Sequence, residues 1–324
     1  MKHPVGRVYG PVPSRRLGAS LGVDVVPMKV CSYDCIYCQL GATRELTRTR
    51  REFFPASEVL AEVEERLRRW PPPDVITIAG SGEPTLYAGL GEVIGGIKGM
   101  TEIPVALLTN GALFHRPDVR REAARADLVL PSLDAGDEET FRMVNRPAPG
   151  LTLEHVVDGL SAFRREYRGK IWLEVMVLAG ITDTPASMSA IAKLAGRIAP
   201  DRIQLNTPVR PTFNEDAAPV TATRLTELSR MFNPEAEVIA EWSGRRREGA
   251  TRRAPESDAV LALLQRRPCT VDDIAGGLDL HPNAVLKALG ALERDGKVHR
   301  VLRDGQVFWH AIQSSPHGPR RSSR

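Results

Sequence analysis

Residues 57–79 read SEVLAEVEERLRRWPPPDVITIA, a stretch of helical period that passes through a proline-rich turn into a short β-branched run. Leu60, Val63 and Leu67 fall on one helical face with Glu and Arg elsewhere, and Ser57 is placed as the N-cap. The same theme recurs on both sides. Further β runs are ASLGVDVV from Ala19, PVALLT from Pro104, DLVLPSL from Asp127, KIWLEVMVL from Lys170 and DRIQLN from Asp201, separated by polar or Gly-rich turns and helical stretches. Six strands alternating with helices predict right-handed crossovers and an α/β fold with a parallel sheet covered by helices. Six units rather than eight predict an incomplete barrel, a partial (βα)6 TIM-like architecture, with functional groups on the loops after the C-terminal strand ends.

Beyond Trp242 the pattern changes. SGRRREGATRRAPES from Ser243 has no apolar periodicity and reads as a basic linker over 243–256. Val260, Leu263 and Leu264 then share a helical face, Thr270 and Asp273 stand in capping-box spacing, and Val285, Leu289 and Leu292 align on a third helix. Two short β runs about Asp304-Gly305 follow. Three helices and a hairpin over 257–312 resemble a winged helix-turn-helix domain, leaving 1–242 as the main domain and 313–324 as a disordered tail.

A chain of 324 residues has room for one large domain and a small one. Its 42% apolar and 26% charged residues argue against a disordered or fibrous protein. No apolar run approaches the roughly 18 residues of a spanning helix, and MKHPVGRVYG lacks a signal-peptide core, so a cytoplasmic protein without membrane contact is expected. Charge is uneven: 15 Lys and Arg face 9 Asp and Glu from Ser243 onward, against 29 and 31 before it. The basic excess belongs to the C-terminal quarter, where an anionic partner or a merely solvated face would account for it.

Three of the four cysteines, Cys31, Cys35 and Cys38, lie together in CSYDCIYC directly after the first strand, and Cys269 is remote. Three clustered thiols and a distant fourth make no disulfide framework. Tetrahedral zinc would want a fourth ligand, and no His stands within the loop. Three thiolates so spaced can hold three irons of a [4Fe-4S] cubane and leave one iron without a protein ligand.

This spacing, with Tyr37 just before the last cysteine, resembles the signature of the radical S-adenosylmethionine (SAM) enzymes. Gly80-Ser81-Gly82-Glu83-Pro84 after the second strand is similar to that family's Gly-Gly-Glu-Pro loop, which holds the amino group of SAM. The resemblance also implies SAM contacts from Thr109 and Asn110 after the third strand, and from Ser132 and Asp134 after the fourth. Taken alone, these could equally be turns or helix caps. Glu174 shares a strand face with Met176, and Gln204 with Asn206. They are candidate substrate or SAM ligands or members of an internal hydrogen-bond network. Arg146 is a further candidate, as a carboxylate partner. The opening Gly10-Pro11-Val12-Pro13-Ser14-Arg15-Arg16-Leu17-Gly18, together with Cys-Ile-Tyr-Cys-Gln-Leu-Gly ending at Gly41, looks like a subgroup related to the Fe–S oxidoreductases of tRNA wyosine synthesis. Residues 1–30 hold no cysteine, so an auxiliary cluster has no ligands there.

The implied activity is reductive cleavage of SAM to methionine and a 5′-deoxyadenosyl radical, which abstracts hydrogen from a substrate. It calls for a [4Fe-4S] cluster, SAM and a low-potential electron donor such as flavodoxin or ferredoxin. Three function classes fit: an enzyme acting on RNA or another macromolecule gripped by residues 243–312, an activase or peptide-modifying enzyme docking a protein there, and an Fe–S-based DNA-binding regulator. Lys287, Arg294, His281 and Asn283 lie on or beside the third helix of the small domain, a thin set for base-edge reading.

Overall fold

The computed structural model describes residues 6–239 and 257–312, apart from Arg15, Phe213, Glu215, Asp279, His281 and Asp304. The expected linker at 243–256 and tail at 313–324 lie outside the described residues, as do Trp242 and the His281 and Asp304 of the small domain. The chain divides into two compact units, Met1–Arg246 and Arg247–Arg324.

In the first unit β1 (Val8–Ser14) pairs antiparallel with β2 (Gly18–Val23), and β3 (Val30–Cys31) pairs with β4 (Glu45–Leu46). There follow α1 (Ala56–Arg69), β5 (Val75–Ile78), a 3-10 turn (Pro84–Leu86), α2 (Leu90–Met100), β6 (Val105–Thr109) and α3 (Pro117–Ala123). Next come β7 (Leu128–Pro131), α4 (Glu138–Val144), α5 (Leu153–Glu166), β8 (Lys170–Met176), α6 (Pro185–Ile198), β9 (Arg202–Asn206), α7 (Ala222–Ser229) and β10 (Glu237–Val238). The sheet order is β1-β2-β5-β6-β7-β8-β9-β10, and every pairing from β2 onward is parallel. The six strands expected from sequence are β2 and β5–β9. Among the described residues no pairing joins β10 to β1, so the sheet is open, as in a partial barrel.

The strands are apolar because both of their faces are covered: all four residues of β5 are buried, as are Val105, Ala106 and Leu107 of β6. Tyr87, Phe114 and Phe163 are the largest side chains fully enclosed between sheet and helices. Helix starts follow capping chemistry, since Asp137, Thr152, Thr184 and Thr221 each accept an N–H from the residue three positions on. Helix α1 corrects an expectation. It begins at Ala56 with Pro55 at the cap position and no side-chain cap bond, which puts Ser57 inside the first turn. Proline's fixed φ leads the chain into the helix without a capping hydroxyl. The buried seam is Ala56, Val59 and Val63, with Leu60 and Leu67 only partly covered.

The second unit holds α8 (Ser257–Leu264), α9 (Val271–Leu278), α10 (Pro282–Arg294) and a hairpin of β11 (Val298–Arg303) and β12 (Gln306–Ala311). The capping box is reciprocal: Thr270 N–H donates to Asp273 at 3.1 Å and Asp273 N–H to the Thr270 hydroxyl at 3.1 Å. Val260, Leu263, Leu264, Val285, Leu289 and Leu292 form its core. Among the described residues no helix is long and apolar enough to cross a membrane.

Candidate functional site

The cysteine loop leaves β2 and is fastened at both ends. Thr47 N–H donates to Cys31 O at 2.9 Å, Asp34 N–H to Asn145 O at 3.0 Å and Ile36 N–H to Val144 O at 3.0 Å, so the loop is stitched to the end of α4. Each sulfur meets a nitrogen donor. Cys31 Sγ accepts from Tyr33 N–H at 3.5 Å and Asn110 Nδ2 at 3.7 Å, Cys35 Sγ from Asn145 Nδ2 at 3.6 Å, and Cys38 Sγ from Lys29 Nζ at 3.0 Å. Burial pushes the Cys31 thiol up to about 12, with the Glu83 carboxylate adding to the rise. Burial also raises Cys35, followed by repulsion from Asp134 and from the other two sulfurs. Among the described residues no three His, Cys, Asp or Glu side chains gather around one metal ion. A cubane takes each sulfur on a separate iron, and the donor set fits it.

The Gly80–Pro84 loop packs under the cysteine loop. Ser81 is buried, its hydroxyl donating to Asp24 at 2.5 Å and its carbonyl accepting Lys29 N–H at 2.6 Å. A side chain at Gly82 would place Cβ 2.0 Å from Val30 O, and one at Gly80 would meet the Asp24 carboxylate at 2.4 Å. Only glycine allows that approach. Glu83 is buried and takes four donors: Oε1 accepts Thr85 N–H at 3.0 Å, the Thr85 hydroxyl at 2.5 Å and the Thr109 hydroxyl at 2.6 Å, while Oε2 accepts Asn110 N–H at 2.7 Å. Burial raises its pKa against those bonds. Oε2, with a single donor, is the less crowded of the two oxygens. Pro84 opens the 3-10 turn that follows and is itself buried.

Thr109 and Asn110 end β6 beside this carboxylate. Asn110 also links outward, since its Nδ2 donates to Ser32 Oγ at 2.9 Å as well as to Cys31 Sγ. Ser132 N–H donates to Thr109 O at 3.2 Å. Asp134 is buried and accepts from the Tyr37 hydroxyl at 2.5 Å, Asn145 Nδ2 at 2.8 Å and Met176 N–H at 3.0 Å. Burial raises its pKa. Through Asn145 it connects Tyr37 to the Cys35 sulfur. The later strands stand differently: Glu174 forms an ion pair with Arg16 of the β1–β2 connection, Gln204 Nε2 donates to Glu237 at 3.1 Å, and Asn206 Oδ1 accepts Thr207 N–H at 3.1 Å. Those three are thus engaged within the protein. Arg146 is exposed, with φ at 45°.

Sequence reasoning did not single out Asp24, Lys29, Asn145 or Arg16. Asp24 lies inside the first β run, one residue past the end of β2, a position where a buried acid needs a partner, and that is the only signal the sequence offered. Asn145 lies 110 residues from Cys35, a pairing that only the fold creates.

Residues 25–190 match the family model described as the Radical SAM superfamily. A UPF0026 protein of Methanocaldococcus jannaschii is 33% identical over 308 residues, which cover 93% of this chain and 94% of that one. The chain belongs to the radical SAM superfamily. Its members are enzymes that use a [4Fe-4S] cluster and SAM. A protein of Brachyspira hyodysenteriae named GTPase Obg is 39% identical over 305 residues, 94% of this chain but only 45% of that one, so the chain spans about half its length. This radical SAM chain has no Gly-x4-Gly-Lys-Ser/Thr phosphate loop. A radical SAM methyltransferase from Sphaerobacter thermophilus is similar over 68% of this chain and 64% of that one, at 19% identity and a TM-score of 0.47. Residues 246–301 match the DprA winged helix domain.

Proposed function

We propose that this radical SAM enzyme acts on a macromolecule, RNA before others, in a reducing cytoplasmic setting with flavodoxin or ferredoxin as its electron donor. When bound, the cluster and SAM supply one-electron cleavage of the sulfonium to methionine and a 5′-deoxyadenosyl radical, which removes hydrogen from the substrate. Cys31, Cys35 and Cys38 hold three irons. The less crowded oxygen of Glu83, Oε2, and the carbonyls of Gly80, Ser81 and Gly82 receive the methionine ammonium. Thr109, Asn110, Ser132 and Asp134 line the rim for the rest of SAM, and Tyr37 is held to that rim by its bond to Asp134. Glu174, Gln204 and Asn206 face the substrate side, positioned by Arg16, Glu237 and the turn at Thr207.

The observation that carries the cluster-and-SAM part of this reading is Asn110. Its side chain donates to the Cys31 sulfur at 3.7 Å while its backbone N–H donates to Glu83 at 2.7 Å. Sulfur ligand and SAM-binding acid are therefore fixed relative to each other by one residue, which is the positioning that cleavage at a cluster demands.

The winged-helix unit presents exposed Lys287 and Arg294 on α10 in support of an anionic partner. Leu286, Leu302 and Val307 are also exposed, at 49%, 72% and 44%, and favour a second reading in which this unit docks a protein, as an activase would. Binding of labelled RNA at increasing salt separates them. A steep loss of affinity with salt supports the first reading; no RNA binding at low salt overturns it in favour of the second. Deuterium transferred from labelled RNA into 5′-deoxyadenosine would establish the substrate.

A further inference from the structure

Lys29 is 3% exposed, and its Nζ lies 3.0 Å from Cys38 Sγ, the only partner of that ammonium among the described residues. Burying an ammonium is costly unless an anion compensates it. Its backbone adds a second oddity. Lys29 has φ at 62°, a left-handed conformation unusual for a residue with a Cβ. Three bonds hold it there: Lys29 N–H donates to Ser81 O at 2.6 Å, and Lys29 O accepts Arg44 N–H at 3.0 Å and Glu45 N–H at 3.2 Å. Such strain persists only where the surroundings fix it, and it is found where position serves function. Here it directs a long cationic side chain back onto the loop that carries the sulfurs.

The other two sulfurs receive neutral donors: a backbone N–H and the Asn110 amide on Cys31, and the Asn145 amide on Cys35. Cys38 alone takes its hydrogen bond from a cation, whose charge also acts on Cys31. Hydrogen bonds to the sulfurs and net charge are among the terms that set a cluster's reduction potential. Reduction of a bound cluster would add one negative charge, which a cation on one of its ligand sulfurs would stabilise more than the oxidised form.

We propose that Lys29 is a positioning and charge-setting residue that raises the reduction potential of the cluster from the Cys38 corner, easing entry of the first electron. The inference rests on the three-cysteine reading of the cluster.

The test compares the full-length chain with Lys29→Met, Lys29→Gln and Lys29→Arg, each reconstituted without oxygen and analysed for iron and sulfide. The cluster potential is then read by a redox titration followed by electron paramagnetic resonance. Met and Gln are expected to shift the potential to more negative values, and Arg to stay near the parent. Loss of cluster in folded Met and Gln chains with retention in Arg supports the same role, because the charge is then required to keep the site assembled. Unchanged potentials in fully loaded Met or Gln chains overturn the proposal, and so does loss of cluster in all three. A parent chain that takes up no cluster overturns the reading beneath it.

Discussion

The carboxylate of Glu83 accepts the Thr109 hydroxyl at 2.6 Å, which joins the loop after β5 to the rim of β6. All four hydrogen bonds into that carboxylate come from donors, and an amide in its place would turn an NH2 toward at least one of them. Glu83→Gln is expected to lose about 1–3 kcal/mol of stability through the unsatisfied donor. SAM affinity of the reconstituted protein should fall roughly tenfold or more, since 1.4 kcal/mol corresponds to a factor of ten. Thermal unfolding and equilibrium dialysis measure the two effects. Unchanged affinity would remove Glu83 from the SAM site.

Two glycines make opposite forecasts. A Cβ at Gly82 would sit 2.0 Å from the Val30 carbonyl, with Val26 at 3.0 Å. Because the obstacle is backbone, Gly82→Ala must displace the segment leading into Cys31 and is expected to cost about 2 kcal/mol or more. Gly99 is exposed near the end of α2, and a Cβ there meets nothing within 4 Å. Gly99→Ala should instead stabilise by about 0.5–1 kcal/mol through lower chain entropy in the unfolded state. Denaturant midpoints of the two variants should therefore move in opposite directions, and cluster content should fall only in Gly82→Ala.

The Cys31 thiol is pushed up to about 12, first by burial and then by Glu83, against about 8.5 in an unfolded chain. The folded value is the higher one. The protonated thiol therefore contributes stability below pH 8.5 that is lost as pH rises toward the folded value. Since thiolate is the nucleophile, iodoacetamide should alkylate Cys31 of the cluster-free fold at pH 8.5 more slowly than in the denatured chain. Cluster ligation needs the same proton removed, so uptake of iron and sulfide should accelerate from about pH 7 to 9. Peptide mass spectrometry follows the first rate and absorbance the second. Equal alkylation of folded and unfolded chains would contradict the raised pKa of Cys31.

The parallel sheet was legible because strands covered on both faces must be apolar, and runs such as VITI of β5 announce themselves. The edges were not. Strand β1 reads VYGPVPS, rich in Gly and Pro, and β10 is two residues long, so neither carries a periodic signal. The cysteine spacing and the Gly-Ser-Gly-Glu-Pro loop could be read as motifs because their chemistry lies in consecutive residues. Asn145 on Cys35, Arg16 on Glu174 and Lys29 on Cys38 could not. The first two are long-range pairings made by the fold, and the third depends on a left-handed backbone that nothing in the residue type Lys foretells. Ser57 shows the reverse error, a good capping residue passed over because Pro55 starts the helix two positions earlier.

The most direct measurement is metal and sulfide analysis of the full-length protein prepared without oxygen, followed by addition of SAM and dithionite. The account predicts about four irons and four sulfides per chain, with 5′-deoxyadenosine and methionine formed, and the loss of both cluster and products when Cys31, Cys35 or Cys38 is replaced by Ala. Zinc in place of iron, or 5′-deoxyadenosine still produced by a chain lacking one of those three cysteines, would contradict it.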